Sequence, residues 1–211
     1  MKVAIDAFVP MRDGIKLSVD IYAPDGIGKF PALLACCPYG KDVQKLPIAQ
    51  GPVNFIIGNG GIEAGISEYF VSKGYVHIIA ECRGTGQSEG QYRFFSRKEQ
   101  EDGYDLVEWI AAQPWCDGNV GMVGMSYFGM IQYLVAAQDP PHLKAIFAYD
   151  AMSDIYRQWH YHGGILNYGF HFYWWPHLPV HTLEPLEESE TDLKKMIQDA
   201  RDDLDVQANP V

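Results

Sequence analysis

The chain has 211 residues, of which 47% are hydrophobic and 20% are charged, as in a globular domain with its own core. Its formal net charge of −11 disfavours nucleic acid as a partner, and no apolar run reaches the roughly 18 residues of a membrane span. The first ten residues lack the apolar core of a signal peptide. Four cysteines without metal-ligand or redox spacing favour buried, reduced thiols, so we expect a cytoplasmic protein without metal or cofactor.

Alternating and apolar runs predict the strands. Ile15–Tyr22 alternates between apolar and polar residues, and Val3–Val9 is its expected partner across a turn at Arg12-Asp13-Gly14. Four apolar runs predict strands buried on both faces: Pro31–Cys37, Val76–Ala80, Val120–Gly124 and Ala145–Tyr149. Three helical patterns separate them: Ile66–Lys73, Glu99–Ala112 and Tyr127–Ala137. Strands that alternate with helices predict an α/β fold with a mostly parallel sheet and flanking helices.

The pattern changes after Asp150. Residues 156–179 are rich in Trp, Tyr, Phe and His and have no strand period. Thr191–Asp205 then has the spacing of an amphipathic helix. We therefore interpret residues 1–150 as the first part of an α/β core and residues 151–211 as the start of a helical cap, or lid.

The last segment of the sequence is strongly acidic. Residues 184–211 hold nine acidic and three basic residues, which is more than half of the excess negative charge. A solvated helix face explains this charge. A surface that steers cationic substrates is the alternative.

Ser126 is the candidate nucleophile. It lies between a predicted strand and a predicted helix, in the sequence GMVGMSYFG. A serine on such a sharp turn is exposed at the sheet edge and needs small neighbours two positions away on either side. Gly124 meets this need, whereas Phe128 stands on the other side and Gly129 follows one residue later. On this pattern alone, a serine with only a structural role remains the alternative.

Tyr39 is a candidate donor to a developing oxyanion. It lies in the sequence CPYGK, at the carboxyl end of a predicted buried strand, where open α/β sheets bind ligands. A phenol stays neutral near pH 7 and can donate its O–H. The backbone N–H of Tyr127, the residue after the nucleophile, would be the second donor. Packing of Tyr39 at the strand end is the alternative.

Two further loops are predicted to have structural roles. The run ECRGTGQSEG at residues 81–90 follows a predicted strand but lacks the glycine spacing of a dinucleotide site, so it is expected to shape the rim of the site. Asp117-Gly118 predicts a turn between a helix and the strand that leads to Ser126.

These stretches together resemble the α/β hydrolases of the CocE/NonD and X-Pro dipeptidyl-peptidase (S15) group. The resemblance rests on MRDGIKLSVDIYAP, CPYGK, ECRGTGQSEG, QPWCDGNVGMVGMSYFG and LKAIFAYDAMSDIYR, which run across about residues 9–157. The group uses the pattern G-x-S-Y-x-G, which Phe128 followed by Gly129 fits. Glu81 stands where the group usually has Asp, a change from which we expect little consequence.

The resemblance implies a serine hydrolase that cleaves ester or amide bonds through an acyl-enzyme, with X-Pro dipeptides among the candidate substrates. Ser126 matches the nucleophile, Tyr39 the oxyanion-hole phenol and Tyr127 the backbone donor. Trp159 and His160 match the start of the cap and are candidate substrate-binding residues. The expected partner is a small-molecule ester or amide, or a short peptide.

The resemblance also implies that acid and base follow the cap, beyond Val211, in the chain order Ser, Asp or Glu, His. The 211 residues would then be a fragment or one part of a split enzyme, with negligible activity alone and with a complementing C-terminal portion or a second copy as partner. A triad that uses His160 or His162 is the alternative within the enzyme class. A non-catalytic binding or dimerisation module that exposes residues 156–179 is the alternative outside it.

Overall fold

The computed structural model describes residues 1–45 and 63–174. The strands are β1 (Lys2–Pro10), β2 (Lys16–Ala23), β3 (Phe30–Cys37), β4 (Val76–Glu81), β5 (Cys116–Met125), β6 (Leu143–Tyr149), β7 (Tyr161–His162) and β8 (Ile165–Leu166). The α-helices are α1 (Ser67–Ser72), α2 (Arg97–Ala111), α3 (Tyr127–Ala136) and α4 (Tyr168–Trp174). A 3-10 turn covers Val43–Lys45, and a π-helical segment covers Tyr156–His160.

Six strands form one twisted sheet in the order β1-β2-β4-β3-β5-β6. β1 pairs antiparallel with β2, and β2 pairs antiparallel with β4. The pairs β3–β4, β3–β5 and β5–β6 are parallel. The predicted hairpin and the predicted mostly parallel sheet are therefore confirmed. All six residues of β4 are buried, which is expected for a central strand made of the continuous run VHIIAE.

The helix α3 packs against both the sheet and α2. It packs against β5 and β6, and α2 packs against both β5 and α3. The two helices approach closely at Gly103, where an added Cβ would lie 2.2 Å from Cγ2 of Val135. This close approach holds α2 against the helix that begins directly after Ser126.

The turn predicted at Asp117-Gly118 lies elsewhere than expected. Cys116 already belongs to β5. Its N–H donates to the carbonyl of Gln113, so the turn closes before Asp117 is reached. Asp117-Gly118 instead forms an irregularity inside β5, where the N–H of Asn119 donates to Oδ1 of Asp117 at 2.9 Å. An Asp side chain that bonds the backbone two residues on explains why the same dipeptide serves a bulge or a turn.

After β6 the elements become short. The π-helical segment leads into β7 and β8, two strands of two residues each that pair across Gly163-Gly164. The helix α4 follows. The sequence predicted no strand here. Strands of two residues are too short to show an alternation of apolar and polar side chains. The predicted helix at residues 191–205 lies outside the described residues, and the division at residue 150 stays a prediction. No helix in the two described ranges is long and apolar enough to cross a membrane.

Candidate active site

Ser126 lies on a strained turn between β5 and α3. Its backbone angles are φ 60° and ψ −122°, a combination that L-residues rarely adopt. Such a conformation costs about 1–3 kcal/mol and persists where the surrounding structure enforces it. The side chain is half-buried, and no hydrogen bond to its hydroxyl is present among residues 1–45 and 63–174. The turn thus presents a hydroxyl that no neighbouring described group restrains.

Backbone hydrogen bonds hold this turn on both sides. The N–H of Ser126 donates to the carbonyl of Tyr149 at 3.1 Å, at the end of β6. The N–H of Met125 donates to the carbonyl of Glu63 at 3.0 Å. Burial, with a contribution from Asp150, raises the pKa of the Glu63 carboxyl to about 7. The strained turn is therefore fixed by two segments that are distant from it in sequence.

A buried glutamine adds a side-chain anchor. Gln132 is fully buried, and its Nε2 donates to the carbonyl of Phe128 at 2.8 Å and to that of Phe147 at 3.1 Å. The first carbonyl belongs to the opening turn of α3 and the second to β6. Gln132 thereby ties the helix that follows Ser126 to the neighbouring strand.

Two glycines leave room for the turn. Gly124 has φ 143°, and a Cβ there would lie 2.3 Å from Cβ of Phe128. At Gly129 a Cβ would lie 2.6 Å from Cβ of Ala151 and 3.0 Å from the carbonyl oxygen of Tyr149. The second close contact explains why the glycine stands at 129: that is the position at which α3 passes the end of β6.

Tyr39 follows β3 and packs against the start of α3. Its ring meets that of Tyr127 edge-on, with 5.9 Å between the centroids. The loop after it is held by Lys41, which is almost completely buried and forms an ion pair with Asp6. The N–H of Lys41 also donates to Oε1 of Glu81 at 3.3 Å. The two predicted oxyanion donors therefore belong to adjoining elements, and their catalytic roles stay predictions.

The loop at residues 82–90 is organised around Glu81. Its Oε2 accepts from the N–H of Gln87 at 2.8 Å, and its backbone carbonyl accepts from the hydroxyl of Ser88 at 3.1 Å. Since the same carboxylate accepts from the loop of Tyr39, Glu81 joins the two loops at the carboxyl ends of β3 and β4. This agrees with the predicted structural role of the loop.

Sequence reasoning missed a buried network beneath Tyr127. The Tyr127 side chain is completely buried, and its hydroxyl donates to Oε1 of Glu99 at 2.6 Å. The hydroxyl of Tyr92 donates to that of Tyr127 at 2.9 Å. Burial raises the pKa of the Glu99 carboxyl to about 7.

The local sequence concealed the role of Glu99. The run from Ser96 to Glu99 has the spacing of a capping box, in which the Glu side chain returns to the N-cap backbone. Half of that motif forms, because Oγ of Ser96 accepts from the N–H of Glu99 at 3.3 Å. The Glu99 carboxyl turns inward instead. No local pattern predicts the inward orientation of the Glu99 carboxyl, since its partners Tyr127 and Cys82 lie far away in sequence.

The candidate substrate-binding residues lie beside this network. Trp159 is buried and packs against Phe94 with 5.4 Å between ring centroids, and Phe94 in turn packs against Tyr127 at 5.7 Å. His160 is half-buried, and its Nδ1 shares a hydrogen bond with Nε2 of His171 at 3.0 Å. The ring of Phe94 thus links Trp159 to the candidate oxyanion hole. His160 is the next residue in the chain and contacts His171 instead.

None of the described histidines bonds to Ser126. His162 contacts the carbonyl of Gln158, and His160 is engaged with His171. The remaining two are also engaged: His77 with Ser67, and His142 with Glu108. Within the described ranges, therefore, neither His160 nor His162 is arranged as a base for Ser126. His177 and His181 lie outside those ranges, and no three His, Cys, Asp or Glu side chains inside them are grouped to hold a metal ion.

The chain is similar in sequence to known esterases and dipeptidyl-peptidases. The chain is 39% identical over 167 residues to the cocaine esterase of Rhodococcus sp., a match that covers 78% of this chain and 26% of the esterase. It is 24% identical over 151 residues to the Xaa-Pro dipeptidyl-peptidase of Lactobacillus delbrueckii subsp. bulgaricus, with 64% of this chain and 18% of that protein covered.

Among solved structures, a CocE/NonD family hydrolase from Staphylococcus aureus superposes with a TM-score of 0.77 at 32% identity. The match covers 93% of this chain and 36% of that hydrolase. The chain therefore spans about a third of the length of the hydrolase, and a smaller share of the two relatives above. The fold is that of the α/β hydrolases. The family model described as X-Pro dipeptidyl-peptidase (S15 family) matches residues 13–209, and the chain belongs to that family.

Proposed function

We propose that the protein is a serine hydrolase in which Ser126 attacks the carbonyl carbon of an ester or amide. The observation that carries the proposal is the strained turn at Ser126, since backbone strain of this size is retained where it positions a reacting group. The turn also places Tyr127 at the first position of α3, where its N–H has no acceptor within the helix. An N–H beside the nucleophile that bonds to no other residue in the described ranges suits a developing oxyanion.

The oxyanion hole is formed by this N–H and by the phenol of Tyr39. Their proximity is supported by the edge-on contact of the Tyr39 and Tyr127 rings. The N-terminus of α3 adds a partial positive charge, which favours an anion at the same place. Donors that are fixed before the reaction stabilise the transition state without reorganisation.

The reaction follows two steps. A base takes the proton of the Ser126 hydroxyl as the oxygen attacks, and the tetrahedral intermediate expels the alcohol or amine, which receives that proton. Water then attacks the acyl-enzyme, releases the acid and restores the serine. We assign the base and its acid partner to sequence outside the described residues, because the described histidines are engaged elsewhere.

We propose carboxylic esters as the first substrate class and X-Pro dipeptidyl amides as the second. The relatives named above supply both classes. Trp159 and His160 would line the acyl side of the pocket, since Trp159 adjoins Phe94 and, through it, Tyr127. All four cysteines are buried and free, which suits the cytoplasmic location that we propose.

The test is hydrolysis of p-nitrophenyl butyrate and of Ala-Pro-p-nitroanilide by the full-length protein. Ser126→Ala should lower kcat by about 10⁴-fold or more, and Tyr39→Phe by about 100-fold. The matched control is Ser72→Ala, which alters an exposed serine and should leave kcat unchanged. Wild-type turnover that survives Ser126→Ala would contradict the assignment, and a wild-type protein without turnover would favour the non-catalytic module.

A further inference from the structure

The two proposed oxyanion donors share one support, the side chain of Tyr127. This residue supplies its own N–H, and its ring touches the ring of Tyr39. Phe95 also stacks on the Tyr127 ring, with 4.4 Å between centroids. The orientation of both donors therefore depends on where the buried Tyr127 ring lies.

The far end of that ring is fixed by hydrogen bonds. Its hydroxyl donates to Oε1 of Glu99 and accepts from the hydroxyl of Tyr92. The same oxygen of Glu99 also accepts from Sγ of Cys82 at 3.1 Å. Glu99 thus connects the first turn of α2 and the end of β4 to the residue that follows the nucleophile.

This placement of a carboxyl is costly. Glu99 is buried, has no cation within hydrogen-bonding distance in the described part of the chain, and its Oε2 has no hydrogen-bond partner there. Burial of a carboxyl that has no cationic partner and one oxygen without a hydrogen bond opposes folding. A costly polar group directly under an active-site residue points to a role in function.

We propose that Glu99 is a positioning residue for the oxyanion hole, which acts by accepting the Tyr127 hydroxyl and so fixing both donors. The inference rests on the proposed hydrolase function. Without the acceptor, the Tyr127 hydroxyl keeps only its hydrogen bond with Tyr92, so the ring against which Tyr39 packs is held less firmly. The donors would then meet the transition state less well, while the substrate ground state would bind nearly as before.

The experiment compares Glu99→Leu with Glu99→Gln in the full-length protein. Leucine removes the acceptor, whereas the glutamine carbonyl retains it. kcat and KM are measured on p-nitrophenyl butyrate, and the reactive serines are counted from the burst released by a p-nitrophenyl phosphonate. Division by that count separates a positioning effect from a loss of folded protein.

We expect Glu99→Leu to lower kcat per titrated serine by about 10- to 100-fold with KM changed less than about threefold, a smaller loss than removal of a donor. Glu99→Gln should stay within about threefold of wild type. Asp102→Asn is the control, since Asp102 is a buried acid of the same helix that bonds to Arg83 and not to Tyr127. It should lower stability and leave kcat per serine unchanged.

An unaltered kcat per serine in Glu99→Leu would overturn the inference, as would an equal loss in Glu99→Gln. If Glu99→Leu does not fold, Tyr127→Phe removes the same hydrogen bond from the other side, and its kcat per serine should fall by about 10-fold. An unchanged value there would also overturn the inference. Turnover that is absent already in the wild type would overturn the proposed function and this inference together, whereas normal wild-type turnover with unaffected variants overturns this inference alone.

Discussion

The surroundings of Ser126 and the segment after residue 150 are built differently. The turn at Ser126 is held by backbone hydrogen bonds to Glu63 and Tyr149 and by the buried Gln132. The later segment, residues 150–174, consists of short elements and leaves several large apolar side chains exposed, namely Tyr156, Ile165, Leu166, Tyr168 and Phe170. The region around Ser126 is thus held by several distant neighbours, whereas the cap-like segment, as far as residue 174, is built from short elements with exposed apolar side chains.

This difference matches two requirements of the proposed hydrolase activity. Stabilisation of a transition state requires donors that do not move during the reaction. A cap has to admit different substrates, and segments with few buried contacts open at a low free-energy cost. The same kind of substitution should therefore have unequal effects in the two regions.

The largest contrast is expected between Gly124→Ala and Gly163→Ala. Both glycines have positive φ, but an added Cβ at Gly124 would meet Cβ of Phe128 at 2.3 Å, whereas nothing lies within 4 Å at Gly163. Gly124→Ala should lower the free energy of unfolding by about 3–5 kcal/mol through strain and overpacking. Gly163→Ala should cost about 1 kcal/mol. Urea denaturation measures both, and equal losses would show that the two turns are equally constrained.

A smaller contrast is expected between Gln132→Leu and Gln158→Leu. Gln132 is buried and donates to two carbonyls, while the exposed Gln158 accepts from the N–H groups of Ser153 and Asp154. Loss of the buried hydrogen bonds should destabilise the protein by about 2 kcal/mol, against about 0.5 kcal/mol for the exposed site. If Gln158→Leu proved the more harmful variant in the same denaturation assay, the cap-like segment would be the better-anchored region.

The third contrast is that stability should change with pH in opposite directions in the two regions. The folded protein holds the proton of Glu99 more tightly than the unfolded chain, because burial raises this pKa from 4.5 to about 7. Stability from this group is therefore complete at low pH and is lost as the pH rises through about 7, by on the order of 1–3 kcal/mol. Glu99→Gln should remove the share of this dependence that belongs to Glu99, while Glu63, whose pKa burial also raises to about 7, accounts for a remainder. A dependence of undiminished size in the variant would contradict the buried position of Glu99.

The cap-like segment should respond in the other direction. Burial lowers the pKa values of His160 and His171 below 6.5. His171 lowers that of His160 further, and His162 lowers that of His171. Their contribution is present above that value and is lost as the pH falls, since two cations would meet across a 3.0 Å contact. Hydrogen exchange in residues 156–171, corrected for intrinsic rates, should speed up between about pH 7 and pH 5. Unchanged exchange would show that the His160–His171 contact does not hold the segment.

The sequence was sufficient for features that depend on local patterns. The strands before residue 150 follow from apolar runs, although the prediction that β6 is buried on both faces was wrong, since Phe147 is 58% exposed. The turn at Ser126 follows from Gly124 and from the family resemblance, whose pattern includes Gly129. The hairpin of β1 and β2 follows from alternation and a turn dipeptide. These features are encoded within about ten neighbouring residues, which is the range that a pattern can report.

Features that depend on distant partners were not predictable. The inward turn of the Glu99 carboxyl is decided by Tyr127, which lies on another helix, and the local capping spacing favoured the opposite orientation. The bulge at Asp117-Gly118 is decided by the pairing of β5 with β3. In both cases tertiary contacts outweigh a local preference of about 1 kcal/mol.

Covalent labelling tests the central claim most directly. The full-length protein would be treated with a fluorophosphonate and digested, and the modified peptide would be identified by mass spectrometry. We predict one modified residue, Ser126, with labelling abolished in Ser126→Ala and retained in Ser153→Ala, a serine of the exposed segment. Undiminished labelling of Ser126→Ala, or a label on another residue, would contradict the assignment of Ser126 as the nucleophile.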